Sequence, residues 1–160
     1  MKKQKLMLGI FGAVLAGMLL INPRLTNPPV QPGKDLLASN TPPAELVTML
    51  RNSCYDCHSD ETKWPWYSHV APMSWWLVDH VESGRKHLNF SQWPHGDPRK
   101  TARRWRNMGE AVADGEMPMP SYLKGHPEAR LTAEQRDEFV KWCDEQAERI
   151  RNSTTNETTQ

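Results

Sequence analysis

The sequence predicts an all-α protein, in which one small helical domain with long loops is preceded by one apolar amino-terminal helix. Two observations support this fold class. Apolar residues recur at a spacing of three and four in several segments, which is the period of a helix, and no segment shows the alternation of a strand. The length of 160 residues is enough for one domain of ordinary size with short additional ends.

The amino-terminal segment, residues 1–21, is expected to be a transmembrane helix. Lysines precede an uninterrupted apolar run over residues 6–21. As a helix this run is about 24 Å long, slightly short of the roughly 30 Å hydrocarbon core of a bilayer. A signal peptide has a similar pattern, but no small residues mark a cleavage site after Ile21, which favours an uncleaved anchor. The lysines predict a cytoplasmic amino terminus, and hence a single-pass protein of a bacterial inner membrane with its domain in the periplasm or another extracytoplasmic space.

The remaining chain divides into a tether, a domain and a tail. Residues 22–43 contain six prolines and little periodicity, which is typical of an extended tether. The folded domain is expected over residues 44–151. Residues 152–160 contain no apolar side chain and are expected to be disordered.

Four helices are expected in the domain, over roughly residues 42–53, 73–87, 98–114 and 132–151. The first, second and fourth carry apolar residues at helical spacing. Gly115 is suited to cap the end of the third helix. Thr132 and Gln135 have the spacing of a capping box at the start of the fourth.

The segment Cys54-Tyr55-Asp56-Cys57-His58 has the spacing of a covalent haem-attachment site. Two cysteines one helical turn apart face the same direction, so both thiols can reach the vinyl groups on one porphyrin edge. The alternatives are a redox C-x-x-C pair, a zinc site and a disulfide. A redox pair is expected in a βαβ context, and a zinc site needs further ligands at regular spacing, neither of which is found. The sequence therefore predicts one haem c, attached through Cys54 and Cys57, with His58 as an iron ligand.

Two methionines, Met117 and Met119, lie in the Pro-rich segment 115–120, which cannot be helical. Ligation of haem iron by Met and His raises the reduction potential and suits electron transfer. Met117 is the first candidate for the second axial ligand, and Met119, a histidine or an open position are the alternatives. The candidate histidines are His69, His80, His87, His95 and His126.

Aromatic residues that follow the attachment motif are candidates for lining a haem pocket and excluding water from it. They are Trp64, Trp66, Tyr67, Trp75 and Trp93. Cys143 lies on the apolar face of the fourth helix and is expected to be a buried free thiol.

Beyond this motif, the chain resembles the bacterial haem-binding domain family, whose members are membrane-anchored and cytochrome c-like. The matching positions cover most of residues 45–145 and comprise 54–59, 64–68, 71, 72, 74, 75, 84, 85, 88–91, 93, 115–118, 122, 126, 127, 129 and 142. The resemblance implies a cytochrome c-like domain with one covalently bound c-type haem and Met117 as the matching candidate for the distal ligand, and the choice between Met117 and Met119 stays open. It also implies Arg85 as a candidate to bind a haem propionate. It implies no defined reaction.

The sequence thus predicts a mono-haem electron carrier that exchanges electrons with unidentified redox partner proteins and is not an enzyme. The alternative is a haem-based peroxidase or ligand sensor, with an open or labile sixth position at the iron. A nucleic-acid partner is not expected, because the formal net charge is only +1 and nucleic-acid binders present a strongly basic face.

Overall fold

The computed structural model describes residues 2–21, 23–93 and 96–157. Its α-helices are α1 (Lys2–Leu20), α2 (Leu36–Asn40), α3 (Ala44–Ser53), α4 (Tyr55–His58), α5 (Met73–His87), α6 (Pro98–Ala113) and α7 (Ala133–Glu157). Short 3₁₀ helices cover Trp66–His69, Phe90–Gln92, Tyr122–Lys124 and Pro127–Ala129. No strand occurs among these described residues, so the all-α prediction is confirmed. Met1, His95 and residues 158–160, which several predictions include, lie outside the described residues.

The prediction of a transmembrane helix at the amino terminus was wrong. Although α1 has 19 residues, its first turns contain Lys3 and Lys5, and the apolar remainder is about 22 Å long, against the roughly 30 Å that a bilayer core requires. Among the described residues, no helix combines the length and the apolar character needed to cross a membrane. The predicted single-pass inner-membrane location depended on that helix and is corrected with it.

The folded structure includes residues that precede position 44. The Asp35 carboxylate caps α2 by accepting a hydrogen bond from the Leu37 amide at 2.9 Å. The same carboxylate accepts a hydrogen bond from the Tyr55 hydroxyl at 2.9 Å. Leu36 is fully buried. The end of the Pro-rich segment is therefore packed against the helices.

The helix boundaries follow local stereochemical signals. Helix α5 has the predicted range, and α6 ends just before Gly115, whose φ of 73° is the left-handed value that favours glycine at a helix end. The capping box before α7 is confirmed, because the Thr132 amide donates to Gln135 Oε1 at 3.0 Å and the Gln135 amide donates to Thr132 Oγ1 at 3.2 Å. Helix α7 continues to Glu157, through most of the segment for which composition predicts disorder.

The core is built from aromatic side chains between α6, α7 and the segment before α6. The fully buried Trp105 ring lies 4.6 Å from the Trp93 ring and 4.8 Å from the Trp142 ring, measured between centroids. Phe90 extends this cluster towards α4. Cys143 is fully buried and forms no disulfide, which confirms its prediction as a buried free thiol. This aromatic core packs against the attachment motif.

Candidate functional site

The attachment motif forms a single tight turn at the junction of α3 and α4. The amides of Cys57 and His58 both donate to the Cys54 carbonyl, at 3.2 and 2.9 Å. This turn brings Cys57 and His58 to the wall of one cavity. Cys54 does not line that cavity and packs instead beside the core. The two cysteines are therefore neighbours on one turn, but only Cys57 lines the cavity.

The thiols of the motif are held in their protonated form. Burial raises the pKa of the Cys54 thiol to about 12, and repulsion from Cys57 adds to the effect. Burial also raises the pKa of Cys57 to about 11, with a further contribution from the Asp56 carboxylate. A redox-active C-x-x-C pair requires the opposite, a lowered thiol pKa. The environment of these cysteines is thus unlike that of a thiol–disulfide oxidoreductase.

The His58 imidazole is oriented by the backbone of α5 and the residues that follow it. Its Nδ1 lies 3.0 Å from the Leu88 carbonyl oxygen and 3.2 Å from that of Gly84. Nδ1 therefore carries the proton, and Nε2 is left with a free lone pair. Burial lowers the pKa of His58, which favours this neutral form. Ligating histidines are commonly held in this way, because a hydrogen bond at one nitrogen fixes the tautomer and aims the other nitrogen at the metal.

The cavity has a volume of about 1010 Å³ and a largely apolar wall. Its described lining consists of Ser53, Cys57, His58, Tyr67, Pro72, Met73, Trp76, Leu77, His80, Ser83, Gly84, His87, Met117, Pro118, Met119, Ser121, Tyr122, Lys124 and Gly125. One wall comes from α4 and α5, and another from the loop that connects α6 with the 3₁₀ helix Tyr122–Lys124. Distant parts of the sequence thus line one apolar cavity, which is partly open to solvent.

Both candidate methionines reach this cavity. Met117 and Met119 lie in its wall, and the loop that carries them is tied to α6 because the Met117 amide donates to the Ala111 carbonyl at 3.0 Å. Gly115 makes the sharp turn that leads the chain from the end of α6 back towards that helix. The structure therefore brings a thioether sulfur and the His58 imidazole to the same space.

Most of the aromatic residues predicted to line a pocket do not do so. Tyr67 lies in the cavity wall, but Trp64, Trp66, Trp75 and Trp93 do not. Trp93 belongs to the aromatic core, and Trp66 is 78% exposed. The prediction missed two aromatic side chains of the wall, Tyr122 and Trp76, and Trp76 lies on the face of α5 that also carries His80 and Gly84. Spacing along α5 was the available signal.

Two of the candidate histidines line the cavity and two do not. His80 and His87 are in the wall, whereas His69 and His126 are not, and His95 lies outside the described residues. On both cavity histidines Nδ1 is paired with a carbonyl oxygen one turn earlier in α5, at 2.8 Å in each case.

Arg85 stabilises the loop after the motif and is not in the cavity wall. Its Nε donates to the Ser59 carbonyl at 2.7 Å, and one terminal nitrogen donates to Thr62 Oγ1 at 2.7 Å. A further bond reaches Asn27 Oδ1 at 2.7 Å, and the buried Asp60 carboxylate lies 4.0 Å away. The guanidinium group is thus occupied by acceptors of the protein itself, unlike the propionate role that the resemblance implied.

A second group of residues links the cavity wall to the attachment motif. The Tyr122 hydroxyl donates to Asp56 Oδ2 at 2.9 Å. The Tyr122 ring stacks on the His126 ring at 4.1 Å with an interplanar angle of 12°. His126 in turn pairs with Tyr67 through Nε2 at 2.8 Å. Sequence reasoning treated these residues separately, since only the fold brings them together.

The cavity fits a haem in both its size and its donor atoms. Its volume is at the upper end of the roughly 300–1000 Å³ found for small-molecule sites. An imidazole and a methionine thioether are established ligands of haem iron. The described residues contain no group of three or more His, Cys, Asp or Glu side chains placed to hold a metal ion, whereas tetrahedral zinc requires four ligands.

Comparison with known proteins agrees with this geometry. A family model described as a haem-binding domain matches residues 13–145. This range includes every residue of the described cavity wall. Neither a curated protein nor a solved structure was found to match the chain. The chain therefore belongs to the haem-binding domain family, as its sequence predicts, and haem is its cofactor.

Proposed function

We propose that the chain carries one haem c, attached through Cys54 and Cys57, with His58 and Met117 as axial iron ligands, and that it is a one-electron carrier and not an enzyme. One observation supports this proposal above all. His58 and Met117, which are far apart in the sequence, lie in the wall of the same cavity. When bound, haem supplies a one-electron couple at its iron, and Met/His ligation suits that couple to electron transfer.

The protein residues have separate roles in this proposal. Cys54 and Cys57 each supply one thioether, and their short separation restricts both bonds to one edge of the porphyrin. His58 presents Nε2 because Nδ1 is held by the Leu88 and Gly84 carbonyls. The largely apolar wall reduces the contact of a bound haem with water, which influences the reduction potential of the iron. The carrier exchanges its electron with separate redox proteins.

A second candidate function has a specific observation in its favour. Tyr67, His80 and His87 place polar groups in the cavity wall. A haem peroxidase or ligand sensor needs such groups, since they donate a proton to a molecule bound at the sixth iron position or accept a proton from it. This function requires the sixth position to be open or readily exchanged, whereas an electron carrier has it occupied by a protein side chain.

The optical spectrum of the protein, produced with c-type maturation machinery, separates the two functions. An electron carrier with methionine ligation is expected to show a weak long-wavelength sulfur-to-iron charge-transfer band when oxidised. It should bind added cyanide or carbon monoxide slowly and weakly. Absence of that band together with rapid ligand binding would favour the peroxidase or sensor and would contradict the proposed sixth ligand.

A further inference from the structure

A chain of hydrogen bonds leads from the cavity wall to the protein surface through side chains that neither haem attachment nor iron ligation uses. Tyr67 lines the cavity, and its hydroxyl oxygen lies 2.8 Å from His126 Nε2. His126 Nδ1 lies 3.1 Å from Glu128 Oε1. The Glu128 side chain is 56% exposed, while that of His126 is only 17% exposed. The imidazole therefore has one partner on the cavity side and another in contact with solvent.

The protonation states of Glu128 and Tyr67 determine the direction of the hydrogen bonds that the His126 imidazole makes. Hydrogen bonds, first from its own backbone and then from His126, lower the pKa of Glu128, so its carboxylate is ionised and accepts a hydrogen bond from Nδ1. Burial raises the pKa of Tyr67, so its phenol is neutral. With a neutral His126, the Tyr67 O–H group donates to Nε2. When His126 binds a proton, Nε2–H donates to the Tyr67 oxygen, and the phenolic hydrogen becomes free to point into the cavity.

The surroundings of His126 contain an aromatic face and negative charge. The Tyr122 ring, stacked on the imidazole at 4.1 Å, presents the electron-rich face that attracts a positive charge. The Tyr122 hydroxyl donates a hydrogen bond to the Asp56 carboxylate at 2.9 Å. Together with Glu128, this arrangement places two carboxylates around the imidazole and its stacking partner.

The other charged groups on the neighbouring elements are few. The 3₁₀ helix Tyr122–Lys124 contributes Lys124, which lines the cavity. Helix α3 contributes Glu45 and Arg51, and Arg51 is paired with Glu61 at 2.7 Å. The 3₁₀ helix that carries Tyr67 also carries the exposed His69. His126 does not line the cavity itself, unlike His58, His80 and His87, and is connected to the cavity wall through its hydrogen bond with Tyr67.

We propose that His126 is the proton acceptor of a proton-coupled electron transfer, in which uptake of one electron at the haem is accompanied by uptake of one proton from water at His126. The electron comes from an external one-electron reductant and converts ferric to ferrous iron. The proton leaves a hydronium ion of the solvent, whose O–H bond breaks as an N–H bond forms at His126 Nε2, and no other covalent bond changes. The proposal rests on the one-electron function proposed above, but it does not depend on covalent attachment or on which methionine binds the iron.

The coupling has an electrostatic cause. An electron added in an apolar cavity makes the local potential more negative, and it therefore stabilises a nearby positive charge. By thermodynamic linkage the reverse also holds, so a protonated His126 raises the reduction potential. Tyr67 strengthens this coupling because its hydrogen bond reverses in direction and offers a donor to the cavity.

The test is to measure the protonation of His126 by NMR of its ring nitrogens in the haem-loaded protein, once fully oxidised and once fully reduced. The midpoint of the His126 titration is expected at higher pH in the reduced protein. Equal midpoints in the two oxidation states would overturn the proposal. Loss of haem upon denaturation, or a sixth ligand other than Met117, would contradict the proposed function. Neither result would change the comparison of the His126 midpoints in the two oxidation states.

Potentiometry of variants gives the second measurement. In the wild type the reduction potential should fall as pH rises through the His126 titration, and His126→Gln should remove that slope. Tyr67→Phe should reduce the slope, and Glu128→Gln, an exposed change that leaves the fold intact, should move it to lower pH. His69→Gln is the matched control and should leave the slope unchanged. An unchanged slope in both His126→Gln and Glu128→Gln would also overturn the proposal.

Discussion

Gly84 of α5 lies directly against the backbone of Cys57. A Cβ atom added at Gly84 would lie 2.6 Å from the Cys57 carbonyl oxygen and 3.2 Å from the carbonyl carbon. The Gly84 carbonyl also lies 3.2 Å from His58 Nδ1. A helix that contains any other residue here cannot approach the attachment turn so closely. The position of the His58 imidazole therefore depends on the absence of a side chain at Gly84 in another helix.

The first prediction is that Gly84→Ala destabilises the protein. Within a helix, a change from Gly to Ala normally stabilises by about 1 kcal/mol. Here the clash with the Cys57 backbone should dominate, at a cost of about 1–3 kcal/mol. Urea unfolding of the apoprotein measures the difference. Gly12→Ala is the matched helical control, because nothing lies within 4 Å of its added Cβ, and it should cause no loss. A Gly84→Ala variant as stable as the wild type would contradict the close packing.

The second prediction concerns Arg85 and the loop after the motif. Arg85→Met removes the hydrogen bonds to Ser59, Thr62 and Asn27 and leaves the buried Asp60 carboxylate without its cation. We expect a loss of about 2–4 kcal/mol in the free energy of unfolding.

Arg51→Met is the control for this change. Its ion pair with Glu61 is exposed, with side-chain exposures of 42% and 37%, and exposed pairs contribute about 0–1 kcal/mol. Similar losses from the two variants would show that Arg85 has no special structural role.

The third prediction tests covalent attachment. Cys54→Ala and Cys57→Ala should each remove one thioether, so that haem retention after denaturation falls sharply in each variant and is lost in the double variant. Haem staining on a denaturing gel measures retention. Cys143→Ala is the control, because this third cysteine is buried in the core and does not line the cavity, and it should retain haem fully. Wild-type protein that loses all its haem in denaturant would refute covalent attachment.

The fourth prediction distinguishes the two methionines. Met117→Ala should lose the sulfur-to-iron band and lower the reduction potential, because a thioether stabilises ferrous iron relative to ferric iron. Met119→Ala should retain both properties. Optical spectra and potentiometry of the two haem-loaded variants provide the measurement. The reverse result would assign the ligand to Met119, and unchanged spectra in both variants would rule out methionine ligation.

Properties that depend on neighbours in the sequence were predicted well. The range of α5, the Thr132–Gln135 capping box and the glycine at the end of α6 each rest on contacts between residues a few positions apart. The haem family was also predictable, because two cysteines and a histidine at fixed spacing are themselves a local pattern.

The prediction of an amino-terminal transmembrane helix failed because of the length of the apolar segment. The apolar run was already slightly shorter than a bilayer core, and α1 begins with lysines and ends at Leu20, so its apolar part is too short to span a membrane. The aromatic residues failed for a different reason. Trp93 and Trp66 follow the motif in sequence, yet one lies in the core and the other in solvent, since periodicity does not identify which neighbour an apolar side chain will meet.

The chemistry of the motif, the helical class and the helix ends are encoded in short stretches of this chain, because their stabilising contacts are local. The pairing of Met117 with His58 in one cavity, the approach of Gly84 to Cys57, and the chain from Tyr67 through His126 to Glu128 depend on contacts across the fold. Such contacts form only when the helices pack, since side-chain volume and backbone geometry, rather than sequence separation, decide which groups can meet.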